Sequence, residues 1–155
     1  MTYKDDATVI EVRQLVDASV EVVFQAWTGP EHVKKWWSPN ETTVCTLCEI
    51  DLRVGGRYLI YMHDSSDRST CKVHGEFREI SPPTRLVYTW NAETHQGTVT
   101  DALVTVEFHP KGKERTEIVL RHSGLPDTPI RQGHRETWGK ILACFAKYSP
   151  GTRDT

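Results

Sequence analysis

Cys45-Thr46-Leu47-Cys48, followed by Cys71-Lys72-Val73-His74, presents the ligand types of a three-cysteine, one-histidine zinc site. The neighbours Val44, Leu47, Ile50 and Val73 read as strand. Residues three apart on a regular strand face opposite sides, so each pair reaches one ion only through a turn or bulge. Buried or scattered thiols, Cys144 among them, are the expected state, and no metal or cofactor is called for. A redox Cys-x-x-Cys would also want a helix N-terminus to acidify a thiol, and none is expected there.

Seven histidines invite a proton-transfer reading. His122, near the end of the last strand, and His134, on the last helix, are expected to turn inward, but no nucleophile is apparent beside them. Both are read as polar lining of an interior. His63, His74 and His109 fall on the expected solvent faces of strands, and His32 and His95 look exposed; none receives a role. Asp5-Asp6 is terminal, and Glu76 and Glu79, three apart on a strand, are expected on opposite faces. No Gly-x-Ser-x-Gly elbow, phosphate-binding loop or dinucleotide fingerprint occurs, so hydrolase, nucleotidase and dehydrogenase chemistry lose their usual support.

Aromatic residues carry the strongest remaining signal: five Trp, five Tyr and four Phe. Many fall on predicted interior faces, where most such residues simply pack as core. If a cavity exists, its lining should come from Trp37, Tyr58, Met62, Phe77, Tyr88, Trp90, Val104, Leu120, His122, His134, Trp138 and Leu142. Strand three leaves its phase open, because Leu59 and Tyr61 make its second face apolar too.

Periodicity supplies the elements that would position these side chains. Alternation from Thr8 to Val16 predicts a strand. Ser19 can cap a short helix striped by Val20, Val23, Phe24 and Trp27. Gly29-Pro30 opens a second helix, which carries Val33, Trp36 and Trp37 and stops at Ser38-Pro39. Six strands follow: Thr42–Asp51, Arg57–His63, Cys71–Ile80, Arg85–Asn91, Val99–His109 and Glu114–Ser123, separated by polar, Gly-rich or Pro-rich turns. Thr128-Pro129 then starts a long helix with the stripe Ile130, His134, Trp138, Ile141, Leu142 and Phe145. The order β-α-α-β6-α predicts an α+β fold: a curved antiparallel sheet of about seven strands wrapped around a long C-terminal helix, with room for an apolar ligand between them.

With 155 residues, net charge −2, 37% hydrophobic and 26% charged residues, the chain should form one domain, 8–148, between tails 1–7 and 149–155. Near-balanced charge and a pI near 6.4 give no field for nucleic acid or an anionic membrane. Without an apolar run of spanning length or a signal-peptide core, the expected location is cytoplasmic.

The element order and several motifs resemble the START-like (SRPBCC, helix-grip) superfamily, closest to the branch named after the activator of heat-shock protein 90 ATPase. The motifs are Val23-Phe24-Gln25-Ala26-Trp27-Thr28, Trp36-Trp37-Ser38-Pro39, Asp51-Leu52-Arg53-Val54-Gly55-Gly56, Gly75-Glu76-Phe77-Arg78-Glu79-Ile80, Pro82-Pro83-Thr84-Arg85-Leu86-Val87 and Trp138. Two places depart from the pattern: Thr137 stands where the family commonly has Gly, and Ser65-Ser66-Asp67 lacks the usual Asp-Gly turn. Three functions follow as expectations. The first is binding of a small hydrophobic or aromatic molecule without evident catalysis. The second, implied by relatives of the fold, is a cyclase or dehydratase acting on an aromatic polyketide-like substrate, with His122, His134 or Tyr88 as acid or base. The third, implied by the family name, is a chaperone-associated role in stress response. A homodimer is also compatible with the sequence.

Overall fold

The computed structural model describes residues 8–94 and 97–148. Both predicted tails and His95 lie outside the described residues. In the first connection, Ser19 Oγ accepts from the Val22 amide and starts α1 (Val20–Thr28), whose Val23, Phe24, Ala26 and Trp27 are buried. Gly29 ends α1 by donating to the Gln25 carbonyl, and its neighbour Pro30 opens α2 (Pro30–Trp36). The Trp36 indole donates across the pair to the Ala26 carbonyl at 2.8 Å, fixing the angle between the two helices.

Seven strands form one antiparallel sheet: β1 (Ile10–Val16), β2 (Thr43–Ile50), β3 (Arg57–Asp64), β4 (Thr70–Ser81), β5 (Arg85–Thr94), β6 (Gly97–Gly112) and β7 (Arg115–Ser123). Their spatial order is β1-β7-β6-β5-β4-β3-β2. The six later strands form a meander, and β1 joins beside β7, so the chain's two halves close the sheet into a curled half-barrel. The α3 helix (Thr128–Tyr148) buries Trp138, Ile141, Leu142 and Phe145. Its cap differs from the expected one: Asp127, not Thr128, accepts the Ile130 amide at 2.9 Å, because Thr128 already lies inside the first turn. This architecture is the α+β helix-grip fold.

Bulges on β2, β4 and β6 decide which side chains face inward. Thr46 is an extra residue between the pairs Cys45–Met62 and Leu47–Tyr61, so Cys45 and Cys48 both become buried. Arg78 is extra between Phe77–Tyr88 and Glu79–Val87, which puts Glu76 and Glu79 on the same outer face instead of opposite faces. On β6 the chain gains a residue between Val99 and Ala102, with Asp101 at φ 56, and both Val99 and Ala102 are buried. The phase of β3 is also settled: Tyr58 and Ile60 face the core, while Tyr61 is exposed.

In the β2–β3 turn Gly55 sits at φ 84, and its amide and the Gly56 carbonyl bond to Phe77 on β4. Asp51 and Arg53 pair at 2.9 Å on the surface, where such pairs contribute little. On the sheet's outer face, Arg121 joins Glu11 and Glu107, and Arg85 joins Glu107 and Glu79, linking five strands by ion pairs.

Candidate functional site

An open groove of about 300 Å³ lies between the first half of α3 and the hairpins β3–β4 and β5–β6. That volume falls at the small end of the usual ligand-site range, roughly 300–1,000 Å³. Its floor holds three tryptophans supplied by different elements: Trp37 after α2, Trp90 on β5 and Trp138 on α3. Trp37 and Trp90 stack with centroids 6.1 Å apart; Trp138 meets Trp90 at 5.1 Å and Trp37 edge-on at 5.4 Å. The Trp37 indole donates to Met62 Sδ at 2.9 Å, which locks the sulfur wall of the groove. Val73, Val99 and Ile141 complete the apolar lining.

The twelve sequence-derived lining residues separate into three groups. Trp37, Met62, Trp90, His134 and Trp138 line the groove. Tyr58, Phe77 and Tyr88 surround a second void of about 30 Å³, shared with Trp37 and Trp90 and large enough for little more than a water. Val104, Leu120, His122 and Leu142 are wholly buried and line neither space. Sequence reasoning passed over Cys71, Asp64 and Thr137 as groove residues. For Cys71 a signal existed: the β3–β4 hairpin register pairs it with Met62.

Two histidines bond to two of these tryptophans: His134, partly buried in the groove wall, and His122, wholly buried behind the floor. Trp90 donates its indole N–H to His134 Nε2 at 3.3 Å, and His134 Nδ1 lies 3.0 Å from the Ile130 carbonyl, which assigns the proton to Nδ1. Trp138 donates to His122 Nδ1 at 3.0 Å. An indole can only donate, so His122 accepts there and carries its proton on Nε2, which has no partner among the described residues. The two imidazole centroids are 5.3 Å apart. Burial, reinforced by His134, depresses the His122 pKa well below the usual imidazole range. Burial also lowers that of His134, opposed by its bond to the Ile130 carbonyl.

This network has a sign-definite consequence. Both folded-state pKa values lie below the unfolded one, near 6.5, so the unfolded chain binds protons first as pH falls. Stability contributed by these neutral imidazoles is complete above about pH 6.5 and is lost below it, by up to about 1.4 kcal/mol per pH unit for each histidine. Urea unfolding of the wild type should show a loss of about 2 kcal/mol between pH 7.5 and pH 5, and His122→Asn should flatten part of that slope. A wild-type midpoint constant over the range would mean that the imidazoles are already charged or reach water.

The remaining candidate groups are placed differently from one another. Cys45, Cys48 and Cys71 face inward, whereas His74 sits on the strand face opposite Val73. Among the described residues, no group of three or more His, Cys, Asp or Glu is arranged to hold a metal. Burial pushes the Cys71 thiol to about 11 and that of Cys48 to about 12, so neither is a thiolate near neutral pH. His32, expected to be exposed, is partly buried, with Nδ1 2.6 Å from the Tyr148 hydroxyl at the far end of α3. At the groove mouth stand Asp64, Glu136 and Lys140. Among the described residues, no helix is long and apolar enough to cross a membrane.

Solved structures share this fold. A protein from Chromobacterium violaceum is 25% identical, with a TM-score of 0.78 over 90% of this chain and 95% of its own. An AHSA1-like protein from Aeromonas hydrophila is 23% identical, with a TM-score of 0.76 over 94% of each chain. An HSP90 activator from Plasmodium falciparum is 22% identical, with a TM-score of 0.64 over 88% of this chain and 91% of its own. No curated protein matches. The family model described as "Activator of Hsp90 ATPase homolog 1-like protein" matches residues 17–149, and with the helix-grip architecture now in view, the chain belongs to that family.

Proposed function

We propose that the chain binds a small hydrophobic or aromatic molecule in the groove beneath the first half of α3, without catalysing its conversion. The carrying observation is the 300 Å³ space floored by Trp37, Trp90 and Trp138, an apolar concavity with a few polar groups at its mouth. The groups that an acid–base mechanism would recruit are occupied. His122 Nδ1 and His134 Nε2 each accept an indole N–H, and burial raises the Tyr88 phenol far above the working range of a base. Those engagements favour binding over a cyclase or dehydratase reaction.

A chaperone-associated role in stress response, by analogy with the family name and the Plasmodium activator, has less support in the chain itself. Charges on the sheet's outer face are paired with each other across five strands, so a protein partner there would have to displace them. A cytoplasmic location agrees with the reduced thiols but rests on the sequence expectation.

Native mass spectrometry and calorimetry against a panel of lipids, polyphenols and small aromatics test the binding. One or more members should bind saturably at a single site, and Cys71→Phe, which places a ring inside the groove, should reduce that affinity at least tenfold while leaving the protein folded. Absence of saturable binding across the panel, or full affinity retained in Cys71→Phe, would count against this site.

A further inference from the structure

The mouth of the groove carries an asymmetry of charge that narrows the ligand's chemistry. On α3, Glu136 and Lys140 stand one helical turn apart and bring one charge of each sign. Across the opening, at the end of β3, Asp64 has no ion pair among the described residues. Its Oδ1 accepts from Thr42 Oγ1 at 2.7 Å and from Ser66 N and Oγ at 2.9 and 2.7 Å. These bonds fix the carboxylate's orientation, and with the Ser66 hydroxyl contributing most they hold its pKa at about 2. Deeper in the groove no free counter-ion is on offer among the described residues: both ring nitrogens of His134 are engaged, and Cys71 is a neutral thiol.

Resting on the ligand-binding reading above, we propose that the groove takes compact aromatic amines, the ring system lying against Trp37, Trp90 and Trp138 and the ammonium held at the mouth by Asp64. The indoles supply offset and edge-on contacts for a planar ring. Their electron-rich faces also favour a nearby cation. A fixed carboxylate gives that cation a charge-assisted hydrogen bond at little ordering cost, whereas a ligand carboxylate in the same position would be repelled. The groove's size suits one or two fused rings bearing a short side chain.

Three related probes separate the contributions: tryptamine, tryptophol and indole-3-propionate carry an ammonium, a hydroxyl and a carboxylate on the same two-carbon arm. Titration of isotopically labelled protein, followed through the indole N–H resonances of Trp37, Trp90 and Trp138, should give tryptamine the highest affinity and indole-3-propionate the lowest. Asp64→Asn should weaken tryptamine roughly three- to tenfold and leave tryptophol within about twofold, a range set by the exposure of the pair. Because Asp64 also tethers Thr42 and Ser66, a second readout needs no substitution: raising salt should weaken only the tryptamine complex of the wild type. Equal affinity for all three probes would overturn the amine preference while leaving the groove a binding site, and so would tightest binding of the carboxylate. Failure of all three to bind saturably, with the indole resonances unmoved, would overturn this proposal and the ligand-binding reading together.

Discussion

Trp138→Ala should lower the stability of the domain by about 3–5 kcal/mol, the usual cost of truncating a large buried aromatic. Trp138 is 1% exposed and touches Trp27, Trp37, Trp90 and His122, so its loss opens a cavity between α3 and the sheet that rigid neighbours cannot collapse to fill. The substitution also leaves His122 Nδ1 without its donor, so neither ring nitrogen of this buried imidazole then has a partner among the described residues. For a domain of this length the midpoint temperature should fall by roughly 10 to 15 °C. Trp138→Phe keeps most of the packing and removes the N–H, and a double-mutant cycle with His122→Asn would isolate the hydrogen bond. A loss below about 1 kcal/mol for Trp138→Ala would show that α3 is not anchored through this side chain.

Gly75→Ala should be nearly as damaging, although it adds a single methyl group. A Cβ on Gly75 would lie 2.0 Å from the Thr89 carbonyl oxygen and 2.8 Å from Thr89 Oγ1. The first atom is backbone, held in place because it accepts the buried Tyr58 hydroxyl; the second accepts the Glu76 amide at 2.9 Å. Neither can yield without breaking a buried hydrogen bond, so relief must come from parting β4 and β5. A cost of about 3 kcal/mol is expected, at the upper end for overpacking. Chemical denaturation of Gly75→Ala and Tyr58→Phe, singly and combined, checks the mechanism. If the strands part as argued, the Tyr58 substitution should cost less in the Gly75→Ala background than in the wild type. Additive costs would place the strain elsewhere.

These two residues also show where the sequence was informative and where it was not. The stripe Ile130, His134, Trp138, Ile141, Leu142 and Phe145 identified α3 and its buried face, because helical periodicity survives whatever the helix packs against. Strand existence and the meander order were similarly legible from alternation and turn residues. The inward phase along a strand was not. A bulge moves every later side chain by one position, and Thr46, Arg78 and the extra residue near Asp101 carry no distinctive local pattern. Cys48, Glu79 and Val99 therefore took faces that strict alternation denies them. The split between groove and core was hidden for a different reason. Trp90 lines the space and Leu120 does not, yet both face inward; the difference depends on how far α3 stands from each strand, which sums side-chain volumes from several elements. Asp64 and Thr137 came to the groove only through that same geometry.

The Thr46 bulge has a further effect at the sheet's margin. β2 is the terminal strand, and its outward row of amides and carbonyls would otherwise invite another chain to add on and continue the hydrogen bonding indefinitely. The irregularity interrupts that row midway through its eight residues, and exposed Glu49 lies beyond the break. One misplaced residue thus turns two cysteines into the interior and, on the other side of the same backbone, guards the molecule against fibrillar self-assembly.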